Sequence, residues 1–332
     1  MKNKILAILA TLGLVASASA VEINDNLSIN GFIDGSYKMV DSDTGTDSQS
    51  LDLDEVELNF LLNVGNVSGM ISVDTDNASS FYDANGNDVQ DAGEEVPGES
   101  YNIDLEQAHF TYSLDNGVSF TFGHYGSALG FEREDPAGLY TFSRAYNDSA
   151  FNSGNIDADG NDVTGLTVAY AGDNYSVAAS LEEAVGADLE AEDLNLELSF
   201  AYTGIDNFSI GGGYFWDNQQ AAADETDELN LHVSTTMGKI FLAAEYTQLK
   251  NDTADRDAYL ILADYDFNDK FGAALRVSQN EQAGVNVGDY EKVTLAPNYS
   301  LTDSLGVILE YSDVTNNNVD TDEYAVELTY TF

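Results

Sequence analysis

The sequence predicts an all-β protein, a transmembrane antiparallel β-barrel of about 16 strands with short periplasmic turns and long extracellular loops. Three observations lead to this fold class: an N-terminal secretory signal, apolar residues at every second position in much of the remaining chain, and short turns that alternate with longer polar connections. The composition agrees, because 28 Gly, 19 Tyr and 16 Phe among 332 residues favour strands and turns over helices.

Residues 1–20 have the three parts of a secretory signal peptide. Lys2 and Lys4 precede an apolar run over 5–15, and an Ala-x-Ala site ends at Ala20. The apolar run has roughly half the length that a membrane-spanning helix needs. We therefore expect cleavage after Ala20, which leaves residues 21–332 as the barrel.

Alternation with a period of two is the strongest pattern in the rest of the chain. Segment 56–64 alternates Val, Leu, Phe, Leu and Val with Glu, Asn, Leu and Asn. This spacing places apolar side chains on one face of a strand and polar side chains on the other. The same pattern recurs at 194–202, 229–237, 259–267, 305–311 and 324–332.

The connections between these strands are sorted by length. Seven tight turns alternate with eight longer polar connections, which yields 16 strands with both chain ends on the short-turn side. Outer-membrane barrels sort their connections in this way and soluble sandwiches do not. The predicted long connections are 41–50, 76–100, 126–162, 183–193, 217–227, 250–256, 280–290 and 315–321.

Two places in the chain fit the alternating pattern poorly. The apolar phase slips between Leu105 and Ala108, which predicts a β-bulge or a strand end above the membrane. Pro297 lies inside an otherwise regular strand, where it cannot donate a ladder hydrogen bond. The strand count is therefore sensitive to how these two places are resolved.

Charge and residue types exclude several classes of function. The 59 Asp and Glu against 11 Lys and Arg leave a formal charge of −48, which argues against a nucleic-acid partner. There is no Cys, so a disulfide scaffold, a thiolate metal site and a cysteine nucleophile are ruled out. His109, His124 and His232 follow no catalytic-triad pattern, so we predict no catalytic residue and no enzyme activity.

Two segments resemble known outer-membrane proteins. The chain ends Tyr-Ala-Val-Glu-Leu-Thr-Tyr-Thr-Phe over 324–332, which looks like the last strand by which the barrel-assembly machinery recognises such barrels. Phe-Thr-Phe-Gly-His-Tyr-Gly-Ser-Ala-Leu-Gly-Phe-Glu over 120–132, followed by Ser-Arg-Ala-Tyr over 143–146, is similar to the beta-barrel porin-2 family of Gram-negative outer-membrane porins. The resemblance implies a homotrimer in outer-membrane lipid, a passive channel for ions and other small hydrophilic solutes, with Phe332 as the assembly signal.

The lumen-facing phase is predicted to be polar and mostly acidic. Its negative charge indicates a preference for cations. In the porins that the chain resembles, a loop at about 126–162 folds into the lumen and sets the constriction; an external surface loop is the alternative. The predicted pore-lining and constriction residues are Glu57, Glu197, Glu245, Asp264, Arg276, Glu310 and Glu327 on the strands, with Glu132, Arg133 and Arg144 on the loop.

Two other functions stay open for such a barrel. A structural or surface-binding barrel would have a plugged lumen, and single-channel conductance distinguishes it from a pore. A barrel enzyme would lose a measured hydrolytic activity when His109, His124 or His232 is changed.

One acidic segment has the ligand order of a calcium-binding loop. Oxygen-bearing side chains stand at positions 1, 3, 5, 9 and 12, and position 7 can contribute its backbone carbonyl. The segment departs from the EF-hand pattern at position 6, where Asp88 replaces the usual Gly. Ca²⁺ binding is one interpretation and a solvated acidic loop the other. The predicted ligands are Asp83, Asn85, Asn87, Val89, Asp91 and Glu94.

Calcium removal should make this segment sensitive to protease. Without the ion the carboxylates repel one another, so cleavage near Asn87 should increase in chelator. Peptide mapping of digests with and without chelator measures this. A cleavage pattern that does not respond to chelator, or that responds equally in Asp83→Ala, would favour the solvated loop.

Overall fold

The computed structural model describes most of residues 20–332. It covers residues 20–43, 47–75, 77–78, 100–101, 103–132, 138–146, 162–183, 194–218, 226–251, 255–281 and 289–332. Within these ranges no helix is long and apolar enough to cross a membrane.

Strands make up 79% of the described chain. In chain order they are β1 (Val21–Asn24), β2 (Leu27–Ser42), β3 (Ser48–Val64), β4 (Val67–Asp74), β5 (Asn77–Ala78), β6 (Ser100–Tyr101), β7 (Asp104–Ser113), β8 (Val118–Gly126), β9 (Asp162–Ala171), β10 (Tyr175–Glu182), β11 (Asn195–Ile205), β12 (Phe208–Trp216), β13 (Thr226–Met237), β14 (Ile240–Asn251), β15 (Asp255–Asn268), β16 (Phe271–Glu281), β17 (Asp289–Ser300), β18 (Leu305–Asn316) and β19 (Val319–Thr331).

Sixteen of these strands form a closed antiparallel barrel. Strands β2, β3, β4 and β7–β19 each pair with the next one, and β19 pairs with β2 to close the circle. The short β1 pairs with the start of β2, and β5 pairs with β6 in a separate two-stranded sheet. The predicted fold class and strand number are confirmed.

The seam of the barrel joins the two ends of the chain. Strand β19 pairs with β2 from Thr321 opposite Ser42 to Thr331 opposite Phe32. Beyond that register, the backbone N–H and carbonyl of Phe332 both bond to Gly31, each at 3.1 Å. The last residue of the chain therefore completes the hydrogen bonding of the wall.

The alternation of the sequence corresponds to the two faces of the wall. On β11, Leu198 and Phe200 are 41% and 38% exposed on the outside, whereas Glu197 and Ser199 on the inside are 2% and 8% exposed. Aromatic pairs lie near both ends of the outer surface, as barrels show where they meet the membrane interfaces. Examples are Tyr214–Trp216 and Tyr311–Tyr324 at the loop end, and Phe267–Phe271 and Tyr330–Phe332 at the turn end.

Some connections predicted to be long are short. Strands β18 and β19 are joined by Asn317 and Asn318 alone, with φ values of 52° and 62° that suit a tight hairpin turn. Strands β14 and β15 are three residues apart, and β2 and β3 reach 16 and 17 residues. These strands extend beyond the roughly ten residues that cross a bilayer. Their loop-side ends carry polar residues on both faces, interspersed with apolar ones such as Leu51 and Leu249.

The phase slip before Ala108 is resolved by a bulge. The register shifts between Ser72 opposite Gln107 and Val73 opposite Leu105, which leaves Glu106 as the extra residue. The predicted bulge is therefore confirmed.

Pro297 is accommodated by a gap in one ladder. It pairs with Ala273 on β16, but on the β18 side the pairs stop at Leu295 opposite Tyr311 and resume at Asn298 opposite Ile308. The missing proline N–H falls within that gap, so the barrel stays closed around it.

Single-cysteine labelling should show the orientation of the barrel. Asn85 belongs to connection 76–100, which the sequence predicts to be extracellular, so a cysteine at this position should react with an impermeant maleimide on intact cells. A cysteine at Asp303, in the exposed β17–β18 turn, should react only after permeabilisation. The reverse pattern would mean that the barrel is inverted.

Candidate channel constriction

The chain between β8 and β9 folds inward and lies against the inside of the barrel. We call its described residues, 127–132 and 138–146, the inner loop. Hydrogen bonds attach the inner loop to wall residues on β11, β14, β16 and β18. The inner loop therefore follows one side of the lumen instead of spreading over the outer surface.

Glu197 on β11 holds the beginning of the inner loop. Its carboxylate accepts a hydrogen bond from the Ser127 hydroxyl at 2.6 Å and another from the Ala128 N–H at 3.2 Å. The Ser127 hydroxyl in turn accepts the Leu129 N–H at 3.1 Å. Glu197 thus satisfies the Ala128 amide directly and orients the Ser127 hydroxyl that satisfies the Leu129 amide.

Glu245 on β14 and Glu310 on β18 hold the loop further along. Glu245 accepts the Phe131 N–H and, at 3.4 Å, the Tyr146 hydroxyl, while Glu310 accepts the Ser143 N–H at 3.1 Å. Burial and the Glu245 carboxylate raise the pKa of Tyr146 well above its ordinary value, so this hydroxyl remains a donor.

Arg276 on β16 makes the largest set of contacts to the inner loop. It is 1% exposed and forms an ion pair with Glu132. Its two terminal nitrogens also donate to the Thr141 hydroxyl at 2.7 Å and to the carbonyls of Ser143 and Arg144 at 2.7 and 2.8 Å. The planar fork of guanidinium donors suits such a crowded set of acceptors. Arg276 thereby joins the two described parts of the loop to the wall.

An apolar patch beneath the loop departs from the predicted polar lumen. Buried Ala145 and Tyr146 pack on inner-wall residues of β14–β17, and the Tyr140 ring stacks on Phe241 with centroids 5.1 Å apart. The sequence signal for this patch is the run 258–263, which is apolar in both phases and therefore indicates burial on both faces. The buried wall residues of the patch are Ala243, Leu249, Ala258, Leu260, Leu262, Ala274 and Ala296.

The remaining predicted residues lie on the inner wall away from these attachments. Glu57 on β3 is buried and accepts a hydrogen bond from Asn59. Asp264 on β15 is half-buried on the inward face, next to the apolar patch. Arg133 and the predicted calcium ligands at 83–94 lie outside the described residues.

Glu327 on β19 belongs to a group that sequence reasoning found only in part. It lies beside Asp34 on β2, and the Arg144 guanidinium of the inner loop acts electrostatically on both carboxylates. Asp34 also accepts the Thr329 hydroxyl at 2.7 Å. Asp34 was not among the predicted lumen residues. The signal that could have found it is its phase, which it shares with Asn30 and Lys38 on a strand whose other face is apolar.

The three histidines occupy separate places on the wall. His124 bonds to the Thr164 hydroxyl at 2.9 Å, His232 to Asn230 at 3.2 Å, and the His109 ring meets the Tyr125 ring edge-on at 6.2 Å. These contacts do not assemble a hydroxyl, an imidazole and a carboxylate in the order that a hydrolase needs.

Loss of Arg276 should release the second half of the inner loop. Removing one partner of a buried ion pair costs about 3–5 kcal/mol. In Arg276→Gln the amides of Ser143 and Ala145 should therefore exchange hydrogen at least about a hundredfold faster. The Ala128 amide, held by Glu197, should change much less.

Lys292→Gln is the matched control for this experiment. Lys292 is a buried cation on the neighbouring strand that pairs with Glu323 at 3.0 Å. Hydrogen exchange measured by mass spectrometry on both variants gives the comparison. Equal protection of residues 143–145 in Arg276→Gln and in the unmodified protein would show that Arg276 is not the anchor.

Comparison with known proteins identifies the family of the chain. The family model of the Gram-negative porins matches residues 6–321. No curated protein sequence matches the chain significantly.

Three solved structures illustrate the similarity of fold. OmpF of Salmonella typhi, in complex with daunomycin, is 15% identical with a TM-score of 0.66, over 95% of this chain and 100% of that one. An anion-selective porin from Comamonas acidovorans is 12% identical with a TM-score of 0.64, over 92% and 99%. A trimer form of OmpT from Vibrio cholerae is 13% identical with a TM-score of 0.58, over 93% and 100%.

The closed barrel of 16 strands, the loop folded against its inner wall and the family match all agree. They confirm the outer-membrane porin expected from the resemblance of residues 120–132 and 143–146. The chain belongs to the Gram-negative porins, passive channels of the outer membrane.

Proposed function

We propose that the chain forms a water-filled passage for small hydrophilic solutes, that it prefers cations and that it catalyses no reaction. The observation that supports this proposal best is the placement of basic side chains in the lumen. The Arg144 guanidinium acts on Asp34 and Glu327, Arg276 is paired with Glu132, and Lys292 is paired with Glu323. Each of these cations is matched by a carboxylate.

Further inward carboxylates set the sign of the lumen charge. Asp264 faces inward, and the ion pairs formed by Arg276 and Lys292 do not include it. Glu57 on β3 is a further acidic side chain on the inner wall. A narrow aqueous passage with excess negative charge concentrates cations and repels anions. The porin fold itself does not decide the sign, since the anion-selective porin from Comamonas acidovorans has a similar fold.

Not every inward carboxylate is a good probe of selectivity. Glu197, Glu245 and Glu310 accept hydrogen bonds from the inner loop, so neutralising them would loosen the loop as well as remove charge. The side chains of Arg144 and Asp264 are better probes, because both are partly exposed and neither makes one of the hydrogen bonds that attach the loop to the wall.

Ion selectivity in planar bilayers should follow these charges. At 0.1 M salt, where the Debye length is about 10 Å, the unmodified channel should show a cation-selective reversal potential. Arg144→Gln should increase this preference, and Asp264→Asn should decrease it. All three proteins should converge at 1 M salt, because screening then acts within about 3 Å.

Lys270→Gln is the control for the selectivity experiment. It makes the same charge change as Arg144→Gln, but at an exposed turn on the rim. We expect its reversal potential to match that of the unmodified channel. Anion selectivity in the unmodified channel at low salt would contradict the proposal, and absence of any conductance would favour the structural barrel with a plugged lumen.

We also propose that the protein works as a homotrimer in outer-membrane lipid and that the assembly machinery recognises its last strand. The trimer form of OmpT from Vibrio cholerae, a protein of similar fold, supports the first point. The aromatic end of β19, with Tyr330 and Phe332 stacked 5.9 Å apart, supports the second. Native mass spectrometry of protein extracted in mild detergent would test the trimer.

A further inference from the structure

One buried carboxylate stands apart from the other acidic groups of the lumen. Glu182, the last residue of β10, is 1% exposed. Among the described residues neither of its carboxylate oxygens has a hydrogen-bond partner of good geometry, although the Ser180 hydroxyl lies close by. By contrast, Glu132 has Arg276, Glu323 has Lys292, and Glu245 accepts donors from the inner loop. An ionised carboxylate removed from water without a partner strongly destabilises the folded state, so something must neutralise Glu182.

A second carboxylate lies close to Glu182. In the barrel register Glu182 is opposite Asn195, and Glu197 is opposite Ser180, so the two acids are diagonal neighbours on the same inner face. Side chains of this length reach each other across a diagonal pair. Glu197 is itself 2% exposed and accepts two hydrogen bonds from the start of the inner loop, as an ionised carboxylate does.

The neighbouring hydroxyls cannot neutralise the pair. The Thr167 hydroxyl donates to Tyr125 at 2.7 Å, so its 2.8 Å contact with Ser180 uses the Ser180 proton. The Tyr125 oxygen lies beside Gly165, which is opposite Glu182 on β9, and would be 2.9 Å from a Cβ there. Several uncharged oxygens therefore surround the two acids.

The chain supplies no basic residue on this part of the wall. Between residues 39 and 238 the only Lys or Arg residues are Arg133 and Arg144. The Arg144 carbonyl accepts a hydrogen bond from Arg276 on β16. The Arg144 guanidinium charge acts on Asp34 and Glu327, which lie across the lumen from β10. None of the strands from β4 to β12 carries a Lys or Arg.

We propose that Glu182 and Glu197 bind a hard divalent cation such as Ca²⁺ beside Ser127, where the inner loop begins. The Tyr125 hydroxyl and water would complete the coordination shell of the ion. No group of three or more acidic or histidine side chains converges within the described residues, so only two carboxylates are available to the ion. Ca²⁺ takes six to eight oxygen ligands and accepts hydroxyl and water oxygens among them. The ion would join β10 and β11 to Ser127, where the loop leaves the wall.

Terbium luminescence can detect this site in the purified full-length chain. Tb³⁺ replaces Ca²⁺ and emits when a tyrosine close to it is excited, and Tyr125 would be that donor. We expect a Ca²⁺-competed signal that Glu182→Gln weakens roughly tenfold or more in affinity, since it removes a charged ligand. Tyr125→Phe should reduce the emission but leave competition by Ca²⁺ measurable.

Glu327→Gln and an Asp83→Asn, Glu94→Gln double variant are the controls. Glu327 is also buried and acidic but has Arg144 nearby, and the double variant removes the predicted external calcium loop. Neither should change the signal that Glu182→Gln removes. Hydrogen exchange gives a second measurement, because Ca²⁺ should slow exchange at residues 127–129 in the unmodified protein and not in Glu182→Gln.

The alternative source of neutralisation is a proton on Glu182. In that case Gln would imitate the neutral acid, and Glu182→Gln would keep the whole Ca²⁺-competed signal and the same exchange at 127–129 in Ca²⁺ and in chelator. That result would overturn the proposal. Loss of the signal in Glu182→Gln alone, with the barrel still closed by circular dichroism, would support it.

Discussion

The structure depends on closure of the β-barrel. In hydrocarbon no water is available to backbone N–H and carbonyl groups, so a sheet can span the membrane only if its two edges meet. Strand β19 meets β2 along eleven residue pairs, and Phe332 adds two backbone bonds to Gly31. The outer alternation of apolar residues, the gap around Pro297 and the bulge at Glu106 are all compatible with that closure.

Closure creates an interior in which acidic side chains hold the inner loop by hydrogen bonds and also contribute negative charge. Glu197, Glu245 and Glu310 present acceptors to loop amides, and Arg276 presents donors to loop carbonyls. These attachments orient Arg144 toward Asp34 and Glu327. The inner loop is thus held in place by wall residues that do not themselves need to touch a solute.

Sequence reasoning was most successful where each face of a strand meets a single environment, either lipid or the polar lumen. Lipid outside and polar lumen inside impose a period of two, so the strands, their number and the inward phase of Glu57, Glu197 and Glu327 could be read from the pattern. It was wrong about connection 315–321, because strands that extend above the membrane lose the contrast between their faces. It also missed the apolar patch at Leu260 and Leu262, where the inward face meets a loop instead of water.

The sequence by itself determined the barrel, its strand number and its acidic character, since these depend on local periodicity and on composition. Only the tertiary structure decided which charges meet. Glu132 and Arg276 are 144 residues apart in the chain, as Ser127 and Glu197 are 70 apart, and their contacts exist because the loop folds into the lumen. Pairing across such separations depends on how the closed wall places its strands, and a period of two carries no information about it.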